Sequence, residues 1–207
     1  MGVHIVEHPL LADALAALRD AATPPAAFRA AMARAGGLLF VEASRDCPTD
    51  PCVVRTPLGE AAGRRLRSDG LTLVPVLRAG LGLLDGVLPL VPGVRVALLG
   101  LRRDEETAEA ETYYENLPKA AAGSLAFVLD PMLATGGTLV RTLEILEDAG
   151  IGESRVLCVV AAPEGVRAVR EAYNEIEIWC AAVDEGLDER SYIVPGLGDA
   201  GDRTFGT

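Results

Sequence analysis

The chain has 207 residues, of which 50% are hydrophobic, and carries 19 basic and 30 acidic side chains for a net charge of -11. This length can bury one sizeable core, and no linker or internal repeat divides it, so we predict a single domain over residues 1–207. The acidic balance disfavours a protein that binds nucleic acid through a basic surface. The absence of a signal-peptide pattern and of an apolar run of transmembrane length predicts a cytoplasmic protein without membrane partners.

The first elements predicted along the chain are two amino-terminal helices within about residues 10–41, at 10–19 and 25–41, where apolar residues recur at helical spacing. Apolar strand-like runs follow at residues 71–77, 95–101, 125–129, 155–162 and 176–183. Helical patterns separate several of these runs, at residues 81–90, 139–149 and 163–172. This alternation predicts an α/β fold with a mostly parallel, twisted sheet flanked by helices on both faces.

One connection breaks the alternation. Residues 102–123 are polar and acid-rich, carry the pair Tyr113 and Tyr114, and are longer than an ordinary connection. The segment is either a mobile lid over a site or an exposed β-arm used for dimer contact, and one segment can do both.

The four cysteines are Cys47, Cys52, Cys158 and Cys180, and they contain no Cys-x-x-Cys pair. Cys158 and Cys180 lie in apolar strand-like runs, where small buried thiols are common. We therefore expect reduced, structural thiols and no metal site made of His and Cys.

The most informative motif is Asp-Pro-Met-Leu-Ala-Thr-Gly-Gly-Thr at residues 130–138, between a predicted strand and a predicted helix. Gly136 and Gly137 let the backbone turn, Thr135 and Thr138 supply hydroxyl donors, and the helix start presents unpaired N–H groups to an anion. An isolated Thr-Gly-Gly-Thr is otherwise an ordinary turn with a threonine cap. The motif is neither a Walker A loop nor the Gly-x-Gly-x-x-Gly fingerprint of dinucleotide-binding proteins.

This motif resembles the loop of type I phosphoribosyltransferases that binds 5-phospho-α-D-ribose 1-diphosphate (PRPP), and its form is similar to that of the uracil phosphoribosyltransferase family. Residues 74–82 are similar to that family's pyrophosphate-binding loop, 102–107 to the start of its mobile hood, and 192–202 to its uracil-recognition segment. Residues 8–10 and 161–165 also fit, so the resemblance covers essentially the whole chain. It implies the type I phosphoribosyltransferase-like fold, with a hood or arm at about 102–123, and the conversion of uracil and PRPP to UMP and diphosphate.

The resemblance also implies which residues act on PRPP. Arg78 and Arg103 would contact the pyrophosphate and Asp130 the ribose hydroxyls, and these three are the catalytic candidates. The implied PRPP-binding set is Arg78, Arg103, Asp130, Pro131, Met132, Leu133, Ala134, Thr135, Gly136, Gly137, Thr138 and Asp199. The family usually has tyrosine where this chain has Arg102, which is an additional candidate for phosphate contact. The alternative for Arg78 is a surface ion pair, and for Arg102 and Arg103 a solvated face of an acid-rich loop.

For the base, the resemblance implies contacts from Ile193, Gly198, Asp199 and Ala200, with Asp199 also touching the PRPP site. The peptide groups of a glycine-rich turn can pair with the alternating carbonyl and N–H edge of uracil. Ala134 stands where many relatives carry an acid that faces a purine, which points to a small pyrimidine. The alternative is a glycine-rich terminal loop with no function.

The resemblance further implies Mg²⁺, bridging PRPP oxygens and held mainly by PRPP and water rather than by a protein cage. It implies dimers or higher oligomers and, in some members, activation by GTP, for which the sequence reveals no site. A PRPP-sensing regulatory protein of the same fold is one alternative, which the net charge and the lack of a helix-turn-helix extension disfavour. A phosphoribosyltransferase for another nucleobase is the other, which the altered PRPP loop and the uracil-type carboxyl terminus disfavour.

Overall fold

The computed structural model describes residues 2–103, 110–117 and 124–207. The strands are β1 (Val3–Ile5), β2 (Thr49–Thr56), β3 (Gly59–Leu66), β4 (Leu71–Leu77), β5 (Arg95–Val96), β6 (Leu98–Arg103), β7 (Ala110–Asn116), β8 (Leu125–Leu129), β9 (Met132–Leu133), β10 (Glu153–Ala161), β11 (Glu177–Val183), β12 (Gly186–Leu187) and β13 (Ile193–Val194). The helices are α1 (Pro9–Arg19), α2 (Pro25–Ala43), α3 (Gly80–Val87), α4 (Gly137–Asp148), α5 (Pro163–Ala172) and α6 (Ala200–Phe205), with one 3₁₀ turn at Ser68–Gly70. Within these residues, no helix combines the length and apolarity needed to cross a membrane.

The main sheet has the strand order β1-β11-β10-β8-β4-β6-β7, with β5 added to β4 and β9 to β10. All of its pairings are parallel except the antiparallel pair of β6 and β7. The carboxyl ends of β4, β8 and β10 therefore lie along one edge, where ligands of such sheets bind. The predicted α/β class and mostly parallel sheet are confirmed.

Strand β8 shows why the central strands have continuous apolar runs. Leu125, Phe127 and Leu129 pack in the core beneath α1, α2 and α3. Ala126 and Val128 face the second core, which α4 and α5 cover. All five side chains are buried, so a strand with helices on both faces has no polar side to alternate with.

Several predicted boundaries match the structure, and others differ. Strands β4 and β8 and helix α5 have the predicted bounds. The predicted strand at 95–101 is two strands, because the backbone is irregular at Ala97, whose N–H donates to the Leu73 carbonyl at 2.8 Å. No pattern predicted the β2–β3 hairpin, which pairs Thr49 to Leu66 in antiparallel register. Its side chains are largely exposed, including Val53 and Leu58.

Part of the 102–123 connection has the geometry of a β-arm. Strand β7 returns antiparallel along β6, with a register shift between Gly100 and Leu101. A Cβ on Gly100 would lie 2.6 Å from the Tyr113 ring, so the glycine lets this tyrosine lie flat across the strand. The rest of the predicted hood, at 104–109 and 118–123, lies outside the described residues, and its role as a lid stays a prediction.

Helices α2 and α3 approach closely through glycines. A Cβ on Gly36 would overlap the backbone of Leu83, and one on Gly86 would overlap the carbonyl of Ala33. The contact lies between backbones, so it cannot be relieved by rotating a flexible side chain. This packing fixes α3, which follows directly after the β4 carboxyl end.

We expect Gly86→Ala to lower the free energy of unfolding by about 1–3 kcal/mol, the usual cost of overpacking. Alanine is favoured over glycine inside a helix by about 1 kcal/mol, which offsets only part of that cost. The matched control is Gly152→Ala, because a Cβ at Gly152 meets nothing within 4 Å. Urea denaturation of both variants measures the difference, and equal stability of the two would contradict the close helix contact.

Candidate active site

Three segments meet at the carboxyl edge of the sheet. The turn after β4 adjoins the end of β8, since a Cβ on Gly80 would overlap the Leu129 carbonyl. Residues 130–138 adjoin the start of α5, since a Cβ on Gly165 would overlap the Ala134 carbonyl. The start of α6 adjoins the turn after β4 through an ion pair between Arg78 and Asp202. Segments that are distant in sequence therefore form one site.

Residues 130–138 leave β8 and enter α4 through a left-handed residue. Gly136 has a φ of 89°, and a Cβ there would lie 2.9 Å from the Gly165 carbonyl oxygen. Both constraints require glycine. Gly136 is also the N-cap of α4 and makes no side-chain cap bond, so the threonine-capped turn is not what forms. The first N–H groups of α4 are therefore left for another acceptor, which is the geometry of an anion site.

Asp130 is the carboxylate within this loop. It follows β8 directly, its backbone N–H donates to the Leu157 carbonyl at 3.1 Å, and its side chain accepts from the Met132 N–H at 3.4 Å. Burial raises the pKa of Asp130 to about 7, and the Met132 hydrogen bond opposes that rise. No cation among the described residues forms an ion pair with it. The carboxylate is held ready to accept hydrogen bonds from a ligand.

Arg78 follows β4 and lies at the mouth of the site. The Leu77–Arg78 peptide is cis. The guanidinium is 54% exposed and donates to the Asp202 carboxylate at 2.9 Å. An exposed pair of this kind is worth about 0–1 kcal/mol. Arg78 does make the surface ion pair considered as an alternative, but the pair is weak enough to be exchanged for a ligand anion.

The glycine-rich segment before α6 turns through several unusual backbone conformations. The Val194–Pro195 peptide is cis, and Gly196 and Gly198 have φ values of 59° and 75°. Asp199 caps α6, its side chain accepting from the Asp202 N–H at 2.9 Å. In the described part of the chain, the N–H and carbonyl of Gly198 make no hydrogen bond. These groups are available to a planar ligand with donors and acceptors on its edge.

Sequence reasoning did not single out the residues that hold this segment. Arg203 stacks its guanidinium over the Phe28 ring at 4.3 Å and donates to the Leu197 carbonyl at 2.8 Å. It also donates to the carbonyls of Leu18 and Asp20 at the end of α1. An arginine with its donors on backbone carbonyls has no local signature, because its partners are distant in the sequence.

The structure describes the side chain of Arg102 but not that of Arg103. Arg102 forms an ion pair with Glu111 across the β6–β7 ladder at 2.7 Å. Arg103 is the last residue of β6, in register with Ala110, and its side chain lies outside the described residues. The sheet pairing places both residues at the far end of the β6–β7 ladder, next to residues 104–109.

The fold defines the class of protein. The chain superposes on orotate phosphoribosyltransferase of Mycobacterium tuberculosis H37Rv with a TM-score of 0.52 and 15% identity, over 87% of this chain and 95% of that one. It superposes on the adenine enzyme APRTase of Giardia lamblia with a TM-score of 0.54 and 16% identity, over 75% and 81%. The fold is that of the type I phosphoribosyltransferases, as predicted.

Sequence similarity defines the family. The family model for uracil phosphoribosyltransferase matches residues 5–207. Over 205 residues, 99% of this chain and 98% of the relative, the chain is 46% identical to a uracil phosphoribosyltransferase of Symbiobacterium thermophilum. It is 38% identical to the AQ2163 protein of Aquifex aeolicus, with a TM-score of 0.91 over 98% and 97% of the two chains. The chain therefore belongs to the uracil phosphoribosyltransferase family and is a glycosyltransferase-class enzyme.

The raised pKa of Asp130 predicts a pH-dependent stability. The folded protein keeps the Asp130 proton up to about pH 7, whereas the unfolded chain releases it near the ordinary value of 3.8. Protonated Asp130 therefore stabilises the fold at low pH, and this contribution is lost as the pH rises through 7. We expect Asp130→Asn, measured without PRPP, to gain stability over the wild type by on the order of 1–2 kcal/mol between pH 5 and pH 8. Denaturant titrations across this range test it, and parallel pH profiles would contradict a partly buried Asp130 that has no ion-pair partner among the described residues.

Proposed function

We propose that the chain transfers the phosphoribosyl group of PRPP to uracil, giving UMP and diphosphate in pyrimidine salvage. The observation that carries the proposal is the meeting of the 130–138 loop, Arg78 and the Gly198 turn at one edge of the sheet. The family match over residues 5–207 supports the same reaction. An anion site beside unbonded peptide groups suits a ligand made of phosphates, a sugar and a small base.

In this proposal the loop holds the 5-phosphate of PRPP. The unpaired N–H groups at the start of α4 and the hydroxyls of Thr135 and Thr138 would donate to the phosphate oxygens. The other loop contacts in the proposal are Pro131, Met132, Leu133, Ala134, Gly136 and Gly137. Asp130 would accept hydrogen bonds from the ribose hydroxyls, which favours its ionised form when PRPP is bound.

The chemical step needs stabilisation of opposite charges. As uracil N1 bonds to ribose C1′ and the bond from C1′ to the pyrophosphate oxygen breaks, positive charge develops on the sugar and negative charge on the leaving group. Arg78 and Arg103 would donate to the departing pyrophosphate, where a planar guanidinium matches paired phosphate oxygens. In this proposal the uracil N1 proton passes to water or to the departing diphosphate, because Ala134 has no carboxylate to accept it.

The base would lie against the turn before α6. The free N–H and carbonyl of Gly198 suit the alternating donor and acceptor edge of uracil. Ile193 and Ala200 are buried beside them and would bound the ring. Asp199, fixed as the cap of α6, would stand between the base and PRPP.

Magnesium belongs to the proposal as a companion of PRPP. Among the described residues, no group of three or more His, Cys, Asp or Glu side chains could hold a metal ion. We propose that PRPP oxygens and water supply most of the ligands of this ion. Bound there, Mg²⁺ supplies positive charge to the pyrophosphate oxygens.

The proposal also includes self-association and a cytoplasmic location. The β2–β3 hairpin exposes Val53 and Leu58 at 69% and 99%, which suits an arm that packs on another copy. The cysteines are free, which suits a reducing compartment.

Activation by GTP stays a prediction, and UMP formation with and without GTP tests it.

We expect uracil to be converted and cytosine to be rejected. Cytosine presents an acceptor and an amino group where uracil presents an N–H and a carbonyl, so fixed peptide groups would be left unpaired, at a cost of about 1–3 kcal/mol each. Release of diphosphate from PRPP and Mg²⁺ with each nucleobase in turn is the measurement. Equal turnover of cytosine would refute uracil recognition by these peptide groups, and no diphosphate release with any nucleobase would indicate a PRPP-binding regulator instead.

We expect Arg78→Ala to lower kcat/KM by about 10²–10³, or about 2.7–4 kcal/mol, because it removes a preorganised donor to the leaving group. The fold should persist, since the side chain is half-exposed. The control is Arg34→Ala, which removes a similarly exposed arginine that pairs with Asp13. Steady-state kinetics with circular dichroism test both, and normal kinetics in a folded Arg78→Ala protein would assign the pyrophosphate contact elsewhere.

A further inference from the structure

One glycine in the uracil segment has both its N–H and its carbonyl bonded to an ion pair from outside the segment. Arg19 and Asp184 form a two-bond pair, with Nη1 to Oδ2 at 2.9 Å and Nη2 to Oδ1 at 2.5 Å. The same Arg19 Nη1 donates to the Gly196 carbonyl at 2.9 Å. The same Asp184 Oδ2 accepts from the Gly196 N–H at 2.9 Å. Four hydrogen bonds thus join Arg19, Asp184 and Gly196, and two of them reach the glycine.

Gly196 and Gly198 are two residues apart and differ in what their peptide groups do. Both groups of Gly196 are bonded to the ion pair. Those of Gly198 are bonded to nothing in the parts of the chain that the structure describes. Gly196 is therefore unavailable to a base, and its bonds fix the point from which the chain runs on to Gly198.

The ion pair is anchored to rigid elements. Asp184 directly follows β11, its N–H donates to the Ala161 carbonyl of β10 at 2.8 Å, and its side chain is only 4% exposed. Arg19 is the last residue of α1, and its side chain is 26% exposed. The pair therefore ties the base-binding turn to the sheet and to the amino-terminal helices at once.

We propose that Arg19 and Asp184 are positioning residues for uracil: by holding the Gly196 peptide they set where Gly198 meets the base. This inference rests on the proposed function. Among the described residues, the PRPP loop at 130–138 makes no hydrogen bond with the pair, whose contact with the base-binding turn runs through Gly196. Its loss should therefore raise the KM for uracil and leave PRPP binding unchanged.

Two charges in one buried site complicate a single substitution. Arg19→Met leaves the Asp184 carboxylate buried without its partner, which destabilises a fold strongly. The principal variant is therefore Arg19→Met/Asp184→Leu, which removes both charges and both bonds to Gly196 together. Replacement of a buried ion pair by apolar side chains is often neutral for stability. A change in the uracil KM of this variant can therefore be assigned to lost positioning and not to lost stability.

The experiment measures the uracil KM, kcat at saturating uracil, and the PRPP Kd by calorimetry, for wild type and variants shown to be folded. For the double variant we expect uracil KM to rise by about tenfold or more, because a displacement of about 1 Å in a positioning group can cost about 10²-fold. The PRPP Kd should stay within about twofold. Arg19→Lys should give an intermediate KM, because an ammonium cannot reproduce the planar two-bond contact.

The matched control is Arg155→Met at the opposite end of the sheet. Arg155 also makes a two-bond pair, with Asp46 at 2.5 and 2.8 Å, and donates to the Ala43 carbonyl. We expect it to lose stability and to keep the wild-type uracil KM. An unchanged uracil KM in the folded double variant would overturn the positioning role, as would an equal rise in the control or a parallel rise in the PRPP Kd. No uracil turnover by the wild type would instead overturn the proposed function itself.

Discussion

The parallel pairing of β4, β8 and β10 determines the geometry of the whole site. Because these strands run in one direction, the turns that carry Arg78 and Asp130 leave the sheet at the same edge. Backbone contacts at Gly80, Gly136 and Gly165 then bring these turns so close together that a single methyl group would not fit. The site is thus assembled by main-chain packing, and its charged side chains are added to a rigid frame.

The carboxyl edge of the sheet has polar groups without strong partners, which lowers the stability of the fold and leaves these groups available to ligands. Helix α4 starts without a side-chain cap, Asp130 has a raised pKa and no ion-pair partner among the described residues, and Arg78 makes only an exposed pair. The first two features are unfavourable in the absence of a ligand and would be relieved by an anion or a sugar hydroxyl, and the Arg78 pair is weak enough to be exchanged for a ligand anion. Arg19 and Arg203, by contrast, each donate three hydrogen bonds to backbone carbonyls or a carboxylate. Arg78 is thus left available to a ligand, whereas Arg19 and Arg203 support the backbone of the turn before α6.

Features that depend on residues close together in the sequence could be predicted, and contacts between residues distant in the sequence could not. Strands β4 and β8 were predicted to the residue, because full burial on both faces produces an uninterrupted apolar run. The motif at 130–138 was found because its loop, glycines and helix start are contiguous. The β2–β3 hairpin was missed, since its mostly exposed side chains follow no apolar period. Arg19 and Asp184 were missed because 165 residues separate them, and no local pattern encodes such a contact.

The central claim is that one edge of the sheet binds the phosphate and the base of one nucleotide. The most direct measurement is a crystal structure of the chain with UMP. The account predicts the 5′-phosphate within hydrogen-bond distance of the first N–H groups of α4, and the uracil ring against the Gly198 peptide. A phosphate bound away from the start of α4, or a base turned away from Gly198 into solvent, would contradict it.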